Sequence, residues 1–208
     1  MSTHFDQATK FIRHCLSATL LLFCATLAVP AYASFVNTDF SSGFSAWEGN
    51  VNDTDLGDIF ADYPDNFALN GSSATLITSA GEIEDYWLIS MYQDAVLASL
   101  APNESLWLSL GVSALLSSAD DFFFVQLRDL NTNDVIDLST GGSFDISSMT
   151  GGSVTFEFGV IDNDFVLGDE LTVSNINFNV TTESVPAPAG TLFVLFGFGY
   201  LMWRKGKA

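Results

Sequence analysis

The chain has 208 residues, 48% of them hydrophobic and 15% charged, with 25 acids against 6 lysines and arginines and a formal net charge of −19. Such a surface repels nucleic acid and anionic lipid headgroups, so neither is an expected partner. Cys15, Cys24, His4 and His14 all precede residue 25, so the remainder can build no Ser-His-Asp triad, no Cys–His pair and no usual zinc site.

Met1–His14 carries Lys10 and Arg13, Cys15–Val29 is uncharged and apolar, and Ala31-Tyr32-Ala33 forms an A-x-A site. This order predicts a secretory signal peptide over residues 1–33, with Sec export and signal peptidase cleavage after Ala33. Residues 34–184 then form one expected domain. It holds 24 acids and a single cation, Arg128, for a net charge of −23, and no cysteine. Its compartment permits disulfides but it has none, so stability must come from packing or bound metal. The charge suits calcium, a neutral glycan or plain solubility.

The domain reads as all-β. Leu106, Leu108, Leu110 and Val112 alternate with Ser105, Trp107, Ser109 and Ser113, which predicts a half-buried strand over Ser105–Ala114. Phe122–Asp129 repeats the pattern with Phe123, Val125 and Leu127 inward. Val135–Leu138 returns after the turn-rich Asn131–Asp134. Val154, Phe156, Phe158 and Val160 make a further inward face. Phe35–Phe40, Trp47–Val51, Ala74–Thr78 and Tyr86–Met91 are additional strand candidates. Leu171 and Val173 are odd, whereas Ile176, Phe178 and Val180 are even, so a bulge near Ser174 and Asn175 would keep both sets on the core side. Several short strands separated by Gly, Asn and Asp predict a β-sandwich, with no helix of useful length in the domain.

Two kinds of binding chemistry are open to such a domain. Calcium takes six to eight hard oxygens, and Asp162, Asp164 and Asp169 lie within one short loop. Trp107 shares its face with serines, where an indole could stack on a sugar ring; covered by a crossing loop, it would be a packing residue instead. Catalysis is not expected, because no lysine stands between Lys10 and Lys205 and no phosphate loop is present. The remaining catalytic option, a carboxylate pair as in glycosidases, is available by chance in so acidic a chain. The alternatives left open are a small glycan-active enzyme using such a pair, or a calcium-dependent lectin-like module.

The last residues fall into three parts. Val185, Pro186, Ala187 and Pro188 come first, then the uncharged run Ala189–Trp203, then the basic Arg204, Lys205 and Lys207. As a helix the run would span ~22 Å at ~1.5 Å per residue, with Tyr200 and Trp203 suited to the interface and the cations to the cytoplasmic side. This tail resembles the PEP-CTERM sorting signal of Gram-negative bacteria; Ala187 stands where that family usually has Glu. The resemblance implies transient anchoring in the inner membrane, processing by an exosortase near the Pro motif, and delivery to the cell surface or extracellular matrix. The family's usual setting implies a structural or adhesive role beside exopolysaccharide, as in a biofilm. A second resemblance lies in Asn37–Trp47, NTDFSSGFSAW, with Phe144–Asp162 and Leu171–Phe178. These look like the opening and closing strands of jelly-roll modules of the galactose-binding type. That family often holds a structural Ca2+ where its first and last strands meet, which implies Asp39 and Asp169 as ligands here.

Overall fold

Alternating burial organises the molecule. The computed structural model describes residues 35–52, 54–58, 63, 65–79 and 86–183; the expected signal peptide and the sorting tail from Val185 lie outside them. Eleven strands run in chain order: β1 (Glu48–Val51), β2 (Thr54–Asp58), β3 (Phe67–Leu69), β4 (Ser73–Ile77), β5 (Leu88–Val96), β6 (Glu104–Leu115), β7 (Phe122–Asp129), β8 (Val135–Asp137), β9 (Gly142–Asp145), β10 (Ser153–Ile161) and β11 (Glu170–Thr182). Among the described residues a single 3-10 turn, Ser147–Met149, interrupts them. Among the described residues no helix is long and apolar enough to cross a membrane.

The strands form two antiparallel sheets, one ordered β2-β1-β5-β10-β7-β8 and the other β3-β4-β11-β6-β9. Each sheet turns one apolar face inward, so the two bury a common core, as a β-sandwich requires. Val154, Phe156, Phe158 and Val160 on β10 are fully buried, as are Val125 and Leu127 on β7. They meet Leu106, Leu108 and Leu110 on β6, Leu171 and Val173 on β11, and Leu76 on β4. Trp47 packs edge-on against Phe156 and Phe158, with ring centroids 5.9 and 5.7 Å away. Burying each such side chain contributes about 1.5–3 kcal/mol, the main favourable term for a domain without disulfides.

The expected bulge in the last strand is present. The register of β11 against β6 shifts between Ser174 and Asn177, and Asn175 takes the left-handed region at φ 53°, which asparagine tolerates better than most residues. Its N–H leaves the ladder and donates to the Ser72 carbonyl at 3.2 Å. Ile176 thereby returns to the core beside Leu171 and Val173.

The expected strand at Phe35–Phe40 is not a strand. Asn37 and Phe40 have φ of 53° and 54°, and residues 37–47 fold into a tight plug. The Asn37 amide nitrogen donates to the Gly43 and Ser45 carbonyls, and its Oδ1 accepts from Ser42 N–H. Trp47 Nε1 donates to the Asn37 carbonyl at 3.1 Å. The buried Gln93 stands in for a strand partner: its Oε1 accepts from Val36 N–H at 2.8 Å, and its Nε2 donates to the Val36 and Ala46 carbonyls. Phe35, Phe40 and Phe44 are buried all the same. Side-chain bonding by Asn and Ser competes with the ladder here, as those residues do in turns.

Candidate functional site

Two ladders, one in each sheet, end at the same edge of the sandwich. In the first sheet Ile161 pairs with Phe122, which sets Asp162 beside Asp121 just beyond the last rung. In the second, Glu170 pairs with Leu115, which sets Asp169 beside the turn that follows β6. The carboxylates of Asp121, Asp162 and Asp164 present ligand oxygens that all lie within 4.8 Å of one another. Asp169 joins them through Ser117: the Ser117 N–H donates to Asp169 Oδ1 at 2.5 Å, and the Ser117 hydroxyl donates to Asp121 Oδ2 at 3.1 Å.

The turn and loop hold these side chains firmly. Asp121 Oδ2 also accepts from the N–H and hydroxyl of Ser118, and its Oδ1 accepts from Asn163 N–H at 2.9 Å. Asp162 Oδ1 accepts from the N–H groups of Asp164 and Phe165, at 3.1 and 2.7 Å. Asp164 Oδ1 accepts from Val166 N–H. Asp121, Asp162 and Asp169 are buried, whereas Asp164 is exposed at the rim.

The electrostatic consequences differ between neighbours. The Asn163 N–H, together with Ser118 and Ser117, holds the Asp121 carboxyl below the usual carboxylate range. Burial pushes Asp162 up, and the charges of Asp169 and Asp121 push the same way, against the N–H bonds from Phe165 and Asp164. An acid crowded by acids in a place with little water disfavours its own charge unless a cation answers it.

A second surface lies on the outside of the five-stranded sheet. Trp107 is half-buried there, flanked along β6 by Ser105 and Ser109. Across the ladder it faces Asn179 on one side and Asp145 on the other. Asn177, Asn179 and Thr181 continue the face along β11, all exposed. Thr75 and Thr172 share a hydroxyl hydrogen bond of 2.8 Å across β4 and β11. Asp145 places an acid beside Trp107 across the ladder. The Ser147 hydroxyl and N–H hold its carboxyl below the usual range.

Of the residues singled out in the sequence, Asp162 and Asp164 come together, Asp169 is linked to this group through Ser117, and Asp39 does not join them. Asp39 is exposed, and its Oδ1 accepts from the N–H and hydroxyl of Ser41 within the N-terminal plug. Asp121 went unnoticed in the sequence; its only signal was the serine-rich turn Ser117-Ser118-Ala119-Asp120 before it. The sorting motif, Val185 to Pro188, and the basic Arg204, Lys205 and Lys207 fall outside the described residues.

No family model matches the chain, and no curated protein matches it. Among solved structures it is similar to TmCBM61, a carbohydrate-binding module solved in complex with beta-1,4-galactotriose, at 12% identity and a TM-score of 0.38. The match covers 73% of this chain and 99% of that one.

Proposed function

We propose that the chain is an exported β-sandwich protein, sorted by an exosortase to the cell surface or extracellular matrix, where it holds neutral polysaccharide in a structural or adhesive role without catalysing a reaction. Its strand order is read as jelly-roll-like. The observation that carries the binding reading is the outer face of the five-stranded sheet. On a domain of net charge −23, the strip around Trp107 is built almost wholly from Ser, Thr and Asn. Hydroxyl and amide groups match the hydroxyls of a sugar chain, and an indole offers an apolar plate for the ring's C–H face. The acidity of the rest of the domain disfavours anionic polymers and leaves neutral ones. The flanking Ser105 and Ser109 are small, which keeps the Trp107 ring open along its strand.

The test is Trp107→Ala, read by retention on neutral polysaccharides in affinity electrophoresis and by denaturant unfolding. Loss of retention with stability kept within ~0.5 kcal/mol, as for ordinary surface sites, is the expected result. Undiminished retention would overturn the assignment of this face, and so would a loss of about 3–5 kcal/mol, which marks a core aromatic. The sorting reading is checked separately by mass spectrometry of surface material, which should lack Arg204–Ala208; an intact basic tail would overturn it.

A further inference from the structure

The acidic end of the sandwich lacks positive charge. Asp162 is 1% exposed and Asp169 0%, and Oδ2 of each is buried with no hydrogen-bond partner. Native proteins rarely leave such acceptors unanswered. No lysine or arginine of the domain stands by to answer them, because Arg128 is the only one between residues 34 and 184. It sits at the far end of β7 from Asp121, roughly 23 Å away at ~3.3 Å per strand residue.

We propose that Asp121, Asp162 and Asp164 hold one Ca2+ ion, with Asp169 braced beside them through Ser117, and that this ion ties the turn after β6 to the loop between β10 and β11 and so clamps the two sheets together at this end. The carboxylates are already prepared for it. Backbone N–H groups of Asp164 and Phe165 bond Oδ1 of Asp162, which leaves its orphan Oδ2 for the ion. The donors are all oxygen, with no histidine or cysteine in the domain, which selects a hard cation over zinc or copper. Calcium accepts irregular sets of six to eight oxygens, whereas magnesium demands a near-ideal octahedron. Exposed Asp164 leaves a rim where water completes the shell. The site is independent of the Trp107 face. It also differs in place from a junction of the chain's first and last strands, since Asp39 takes no part.

The test uses the full chain, stripped with chelator and titrated with calcium chloride by calorimetry and thermal melting. One equivalent should bind. The melting temperature should rise by about 5–10 °C at a calcium concentration ~100 times Kd, with no comparable rise in magnesium. Asp164→Asn, at the exposed rim, should weaken binding about tenfold or more, and Asp39→Asn should leave it unchanged. If Asp162→Asn fails to fold, terbium luminescence in the unmutated chain reads the same site. Trp87, whose carbonyl accepts the Asp162 N–H, is the expected sensitiser, and calcium should quench the signal by competition. Absence of both binding and thermal response overturns the proposal. A response lost in Asp39→Asn but kept in Asp164→Asn overturns it too. So does a stripped chain that ignores calcium and melts higher at mildly acid than at neutral pH, because the acids would then share a proton.

Discussion

Gly159→Ala is a sharp test of the packing on the outside of the six-stranded sheet. Gly159 lies mid-strand in β10, opposite Ser90 on β5 and Phe124 on β7. A methyl group there would stand 2.5 and 2.7 Å from Cζ and Cε1 of the Phe124 ring and 2.8 Å from Ser90 Cβ. The ring can swing outward, since Phe124 is only half-buried. Ser90 Cβ cannot, because it is fixed to a central strand. Overpacking of this kind costs about 1–3 kcal/mol, and the stiffer unfolded chain of alanine offsets ~0.5–1 kcal/mol of that. The net loss should be about 1–2 kcal/mol, read as a lower urea midpoint at unchanged slope or a melting temperature lower by roughly 2–8 °C. The double variant Phe124→Ala/Gly159→Ala should show a favourable coupling of at least ~0.5 kcal/mol, because removing the ring clears two of the three contacts. A Gly159→Ala variant as stable as the parent, or strictly additive with Phe124→Ala, would refute the reasoning.

Two further outcomes follow from local geometry. Asn175→Ala should cost about 1–2 kcal/mol in urea unfolding, since alanine resists the left-handed conformation at the β11 bulge, and Asn175→Gly should cost less; equal losses would mean that the backbone angle is not the cause. The Asp145 carboxyl is held below its ordinary range by the Ser147 hydroxyl and N–H. Its folded-state pKa is therefore the lower one, so its stabilisation is complete above the unfolded value near ~3.9 and is lost as pH falls through the folded value. Asp145→Asn should accordingly melt below the parent at neutral pH and converge with it in strong acid.

The long strands were legible because their signal is local. Four buried residues at alternate positions in β10, and three in β6, can only face one way. Even the bulge was readable, through the change of parity between Val173 and Ile176. β3, β8 and β9, at three or four residues each, are too short to show a period; β8 was reached only as the return of a hairpin. The Phe35–Phe40 segment misled because its apolar spacing suits a strand, while its bonding is decided by Asn37 and by Gln93, 57 residues away. The acidic end was half legible for a similar reason. Asp162, Asp164 and Asp169 share a loop, but Asp121 reaches them only through the pairing of Ile161 with Phe122. That register is a property of the folded sheet.

The lengths of the outermost strands have a consequence for how these molecules tolerate crowding. Each sheet is widest at its centre, where β5, β6, β10 and β11 run 9 to 13 residues. The borders are β2 and β8 in one sheet and β3 and β9 in the other, and none exceeds five residues. A neighbouring copy seeking unpaired N–H and C=O groups along these border strands would find only a few rungs on each. Short borders are one of the ways proteins avoid zipping edge to edge. Copies can therefore stand at high local concentration with little tendency to polymerise through their own backbones.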